Sequence, residues 1–261
     1  MQLVVRSKVT PGMPREAAIP LLLEEHGGKM YGLGLRLCRD PHRAEDLVQE
    51  TFLQAFRHWR KFEGRSSPAT WLYSIAARVC HRFRRRRRGE PARMASLEAL
   101  LPFEEPGVPE VPAEAQEEAR ARVEEAIVDL PPGFRLPLVL RDIHGFSVAD
   151  TARILGLREA TVKTRVHRAR LRLRQAVVEG LPRRAAPPAA YSRQVCLDLL
   201  RAKQESLDRG VAFPLGSEVV CERCRGVFAS MDLAAEVCAA MAAGGIPEPL
   251  RRRILEATGG R

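Results

Sequence analysis

The chain has 261 residues, 45% of them hydrophobic, which is enough for two or three small packed domains and excludes wholesale disorder. Its formal net charge is +11 and its pI about 10, a balance that points to a polyanionic partner, nucleic acid first. No apolar run reaches the ~18 residues of a bilayer span, the first residues lack a signal-peptide core, and the expected location is cytoplasmic, where six cysteines read as thiols or metal ligands.

Residues 1–16 read as a loose tail. From 17 to 88 the pattern is helical, with breaks expected at Gly27-Gly28, at Asp40-Pro41 and in the loop FEGRSSP (62–68). Asp40 is the expected N-cap, with Pro41 at the first helical position. In AEDLVQETFLQAFRHW (44–59), Ala44, Leu47, Val48, Thr51, Phe52, Ala55, Phe56 and Trp59 share one face. Asp46, Gln49, Glu50 and Arg57 lie opposite, and Leu53 sits among them. A later stripe, Leu72, Ile75, Ala76, Val79 and Phe83, predicts a second buried helix that ends in six arginines between 82 and 88. Aromatic residues beside cations suit single-stranded nucleic acid, where bases stack on rings and arginines meet phosphates.

Residues 89–116 change character. Five prolines, and six glutamates against one arginine, make this an acidic linker with at most a short helix at SLEALL (96–101). Helical periodicity returns over 117–178. There Ala152, Gly156 and Val162 have helix-turn-helix spacing: a small residue where helices touch, glycine at the turn, and a branched anchor in the second helix. In that helix Val162, Val166, Ala169 and Leu173 face inward. Lys163, Arg165, His167, Arg168, Arg170, Arg172 and Arg174 are expected on the outward, DNA-facing side. Residues 179–190 form a second linker, and 191–261 a Cys-rich segment. No convincing strand or internal repeat is found.

AEDLVQETFLQAF, followed by F-x-G-R-S-S-x-x-T-W-L-Y-x-I-A and an arginine-rich helix end, resembles region 2 of bacterial extracytoplasmic-function (ECF) sigma factors. Residues 130–170 resemble their region 4. The two blocks stand in the right order and cover about 17–178. The resemblance implies a region 2 bundle (17–88) and a region 4 helix-turn-helix (117–178), joined by a flexible acidic linker; the small helical Cys-rich domain that completes the expected all-α chain has no counterpart in typical members of that family. It also implies a non-enzyme that binds core RNA polymerase and directs promoter-specific initiation. Asp46, Gln49, Glu50 and Leu53 match positions that dock on the β′ clamp helices. Phe62, Arg65, Ser66, Ser67, Thr70 and Trp71 match the loop that captures a flipped minus-ten base, and Arg78, Arg82, Arg84 and Arg85 the helix that tracks its backbone. Glu159, Thr161, Lys163, Thr164, Arg165, His167 and Arg168 match the minus-thirty-five reader. The implied partners are core polymerase (β′ clamp and β flap), promoter DNA and an anti-sigma factor, with no membrane and no cofactor for the core function. The acidic linker is expected to occupy a basic nucleic-acid channel.

The tail holds Cys196, Cys221, Cys224 and Cys238. Cys221 and Cys224 form a C-x-x-C that resembles the zinc-binding module of anti-sigma factors, except that Ser217 stands where that module has histidine. Four thiolates would suit structural zinc, and an incomplete sulfur shell copper(I) or redox control. Two alternatives have different tests. A stand-alone helix-turn-helix regulator with a structural zinc tail would footprint without polymerase. A thiol oxidoreductase would need a βαβ context that this sequence lacks.

Overall fold

The computed structural model describes residues 8–83, 93–105, 107–112, 115–188, 190–216, 219–242 and 244–259. They form two compact units, each assembled from separated stretches of chain. The architecture is helical, as expected, with one small exception.

The first unit contains 8–83, 149–159 and 241–259. Helix α1 (Arg15–Cys38) packs on α2 (Pro41–His58), and α3 (Pro68–Phe83) packs on both. The α1–α2 crossing is close because Gly34 faces Ala44; a Cβ on that glycine would meet the Ala44 Cβ at 3.0 Å. Asp40 caps α2, its carboxylate accepting from the amides of His42 (2.9 Å) and Arg43 (3.3 Å). Ile19, Leu22, Leu23, Met30 and Leu33 of α1 meet Leu47, Val48 and Phe52 of α2 and Leu72, Tyr73 and Val79 of α3 in the buried interior. Residues 8–14 are not a loose tail: Val9 is buried, and the Trp59 indole donates to the Met13 carbonyl at 2.6 Å.

The expected break at Gly27-Gly28 is absent, since α1 runs straight through it. The glycines are there because another backbone lies against them. A Cβ on Gly28 would sit 2.0 Å from the Gly244 carbonyl oxygen, and one on Gly27 3.3 Å from Ile246. That stretch leads into a helix at Glu248–Ala257, labelled α11 below, which packs on α1 and α2 through Leu250 and Ile254. Arg253 pairs with Glu45, and the Arg36 guanidinium donates to the Met241 carbonyl at 3.3 Å.

The second unit contains 93–148 and 160–240. Its elements are α4 (Leu97–Leu100), strand β1 (Gly107–Pro109), α5 (Ala115–Asp129), α6 (Pro132–Leu138), α8 (Glu159–Val178, from Ala160 onward), strand β2 (Arg183–Ala185), α9 (Arg193–Arg209) and α10 (Glu222–Ala240). Between the last residue of α6 and α8, one π-helical turn (Val139–Ile143) follows Pro137, which lacks the amide to continue the ladder. Helix α7 (Val148–Leu155) precedes α8 in the chain.

Strands β1 and β2 pair antiparallel, Gly107 opposite Ala185 and Pro109 opposite Arg183. Three-residue strands carrying a proline and two arginines show no alternation, so sequence periodicity had nothing to detect. The linker is correspondingly not an open tether. Leu100 is buried with Leu171, Leu199, Leu200, Val227, Phe228 and Met231, and Glu105 grips Arg174. Helix α10 accepts β1 at Gly226, where a Cβ would meet Val108 Cγ1 at 2.4 Å.

Candidate nucleic-acid interface

Ser67 is the N-terminal cap of α3. Its hydroxyl accepts from the Thr70 amide at 3.0 Å and lies 2.8 Å from the Thr70 hydroxyl, while Pro68 supplies a pre-set first turn. The Thr70 hydroxyl also donates to the Asp150 carboxylate at 3.3 Å. The cap aims α3 so that Trp71, Ile75, Arg78, Val79 and Arg82 line one side of a cavity of about 330 Å³, with Gln54 and His58 of α2 and Lys61 of the turn after it on the other. Arg78 and Arg82 are exposed and Trp71 half-buried. Phe62, expected in the capture loop, is buried: it stacks on Trp59 (centroids 5.1 Å) and tilts against Trp71 (5.4 Å). It buttresses Trp71 instead of offering a face of its own. Arg65 is exposed and pairs with Glu63 at 2.7 Å; Ser66 is half-buried beside it. Arg84 and Arg85 lie outside the described residues. His58 and Lys61 were not anticipated. Their only signal was cationic character at the end of an apolar-faced helix.

On α2 the expected inward set is buried, with Phe56 only half covered. Asp46 is exposed, and Gln49, Glu50 and Leu53 are half-buried along the same edge. Glu50 accepts from Gln54 at 2.8 Å and from Arg82 at 3.4 Å, so the acidic edge and the α3 cations touch.

The turn after α7 is made at Gly156, whose φ of +64° is natural for glycine, and the Leu157 amide closes it on the Ala152 carbonyl at 3.0 Å. Val162, Val166, Ala169 and Leu173 are buried in α8, as the stripe predicts. The expected outward basic face needs correction. Glu159, Lys163 and Thr164 are exposed and Thr161 half-buried, but from Arg165 onward the cations are covered. Arg170 is buried in a fork with Asp142 (2.7 and 2.8 Å) and an ion pair with Asp208 (2.7 Å). Arg174, 0% exposed, bonds Ser230 (3.1 Å) and both oxygens of Glu105. His167 holds Asp208 at 2.8 Å. Arg168 reaches the Ala95 carbonyl and lies over the Phe134 ring, 5.2 Å from its centroid. Arg165 is half-buried.

Of the tail thiols, Cys196, Cys221 and Cys224 come together on a cavity of about 250 Å³ that Phe103, Tyr191 and Phe228 also line. Burial, then the neighbouring thiols of Cys221 and Cys196, push the Cys224 thiol up to about 12. Cys238 does not join them. It is buried fourteen residues further along α10, about 21 Å along the axis at 1.5 Å per residue. Ser217 lies outside the described residues. Three sulfurs without a fourth side chain do not complete a zinc shell. Among the described residues no group of three or more His, Cys, Asp or Glu side chains is arranged to hold a metal ion.

The Sigma-70 region 2 family matches residues 22–90, and the Sigma-70 region 4 family residues 120–173. The ECF RNA polymerase sigma factor SigW of Bacillus subtilis is 31% identical over 162 residues, 59% of this chain and 86% of its own. SigE of Mycolicibacterium smegmatis, another ECF sigma factor, is 34% identical over 168 residues, 61% of this chain and 62% of its own, less than two thirds of its length. Among solved structures, sigma factor RpoE of Bartonella quintana, in complex with the anti-sigma factor NepR, aligns with a TM-score of 0.42 at 24% identity, covering 60% of this chain and 93% of that one. The chain belongs to the ECF sigma factor family. Among the described residues no helix is long and apolar enough to cross a membrane.

Proposed function

We propose that this chain brings core RNA polymerase to promoters and opens them, acting by binding and not by catalysis. The observation that carries this reading is the 330 Å³ cavity on α3, where Trp71, Arg78 and Arg82 meet His58 and Lys61. An aromatic face ringed by cations takes an unstacked base and its phosphates, and it has no use in a protein that only reads duplex DNA. Core polymerase docks on the adjoining edge, with Leu53 as apolar centre and Asp46, Gln49 and Glu50 as its polar rim. The first turns of α8, with Lys163 and Thr164 exposed, enter the minus-thirty-five major groove. Stacking of one base on Trp71 is worth about 1–3 kcal/mol, so Trp71→Ala should slow promoter opening by about tenfold or more, read by permanganate reactivity of minus-ten thymines with core polymerase present. Normal opening in that variant would sink the reading.

Regulation falls to the thiols of Cys196, Cys221 and Cys224. Their support is proximity: a thiophilic ion would bind by displacing their protons, and an oxidant would join two of them by removing two electrons and two protons. One bound metal per chain, or a disulfide under mild peroxide, with a matching change in transcription, is the expected result. Neither being found, for the full chain and for Cys221→Ser with Cys224→Ser alike, would leave the tail without a sensing role.

A further inference from the structure

The strip of α8 that begins at Lys163 continues at His167, Arg170 and Arg174, spaced four, three and four residues apart on one line. Lys163 is exposed; the next three are not. What covers His167 and Arg170 is the C-terminal end of α9. Asp208, its side chain 4% exposed, bonds His167 through one oxygen (2.8 Å) and Arg170 through the other (2.7 Å). Gln204, one turn earlier, accepts from Arg170 through its backbone carbonyl at 3.3 Å and donates to the His167 carbonyl at 3.1 Å. Arg141 takes the Leu207 carbonyl at 3.1 Å and the Asp208 carbonyl beside it. Gly210, at φ +63°, ends the helix in the left-handed conformation and so presents these last carbonyls. A helix C-terminus carries partial negative charge, and here a carboxylate is added to it. Together they offer the cations of α8 what a DNA phosphate would offer: two anionic oxygens and further acceptors at hydrogen-bond distance.

We propose that α9 is a built-in phosphate mimic, which holds α8 closed to duplex DNA beyond its first turns and must leave for full minus-thirty-five binding. The inference rests on α8 being the promoter-reading helix and adds how the tail controls it. A duplex laid along the strip from Lys163 would meet Asp208 before it reached His167 or Arg170. The same helix carries Cys196, twelve residues or about 18 Å from Asp208, within the cluster formed with Cys221 and Cys224. An event at those thiols therefore acts on the other end of the helix that occludes the strip. Phosphate and Asp208 compete for one set of cations, so affinity falls by the fraction of chains in which α9 is seated.

The test uses the full-length chain and a fluorescent duplex carrying the minus-thirty-five element. Asp208→Asn keeps the shape and removes the charge; it should tighten binding on the order of tenfold. Glu205→Gln removes the same charge from the exposed side of α9 and should leave binding unchanged. Equal affinities for Asp208→Asn and Glu205→Gln overturn the inference. Lys163→Ala separates the two layers. If it lowers wild-type run-off transcription while Asp208→Asn gains nothing, the inference fails and α8 remains the reader. If Lys163→Ala leaves wild-type duplex binding and run-off transcription unchanged, α8 is not the reader and the inference falls with it. Hydrogen exchange on the unmutated chain gives a readout that does not depend on a variant folding well. Adding duplex should raise exchange across 199–209, and unchanged protection there would also overturn the proposal.

Discussion

At the scale of single residues, the chemistry of this chain is governed by arginines that found carboxylates. Arg174 is fully enclosed and has Glu105 as its counter-ion. Removing one partner of a buried pair leaves the other charge stranded, at a cost of about 3–5 kcal/mol. Glu105→Gln should therefore lower the urea midpoint of the full chain clearly, where Glu110→Gln, exposed, should not. Asp208 adds a pH signature. Burial by itself would raise its carboxyl, but the His167 hydrogen bond, followed by Arg170, holds it below the ordinary value of 3.8. A depressed carboxylate stabilises the fold fully above its unfolded value near 4 and loses that contribution as pH falls through the folded value. The stability gap between wild type and Asp208→Asn should thus be open above about pH 4 and close as pH falls below it, followed by denaturation at stepped pH. None of these pairings was readable beforehand. Seven basic residues among the twelve from Lys163 to Arg174 read as a solvated or DNA-facing side. Its partners, Asp142, Asp208 and Glu105, lie 28, 38 and 69 residues away in the chain.

At the scale of elements, local signals did well where the reason for a feature was local. The apolar face of α2, the Asp40 cap with Pro41 behind it, the short helix at 97–100 and the glycine turn at 156 all depend on neighbours within a few residues. The signals misled where the reason was distant. Gly27-Gly28 reads as a helix break, yet those glycines make room for the backbone at 244–246 inside an unbroken α1. Four cysteines read as one site, yet helix geometry separates Cys238 from the three that meet. Two element-level outcomes follow. Leu53→Ala with Glu50→Ala should weaken binding to core polymerase without unfolding α2, because neither side chain belongs to the fully buried face; wild-type affinity in a pull-down with core would contradict the docking assignment. Gly28→Ala sets two effects against each other. Alanine favours helix by about 1 kcal/mol, but a Cβ 2.0 Å from the Gly244 oxygen cannot be accommodated without moving that backbone. The clash wins, and hydrogen exchange of α11 should rise in Gly28→Ala while that of α3 stays put.

At the scale of the whole molecule, the Cys-rich segment is divided. Residues 191–240 belong with the region 4 unit and 241–259 with the region 2 unit, so each carries a piece of the tail in its packing. A chain ending at 178 should still bind core polymerase and initiate, since the proposed docking edge on α2 and the α3 cavity contain no tail residue. It should also be less stable than the full chain and bind an apolar dye, because Leu100 and Leu171 lose the cover of Leu199, Leu200 and Phe228. A dye-silent fragment as stable as the full chain would contradict this packing. The order of these pieces along the chain has a consequence in time. Asp142 and Glu105 precede their arginines, whereas Asp208 follows Arg170 by 38 residues. At roughly 5–20 residues per second of synthesis, the ribosome takes about 2–8 seconds to make that interval. Every newly made molecule therefore passes through an interval in which α8 exists and its occluding helix does not, and any message cut short between the two codons yields a protein born permanently open.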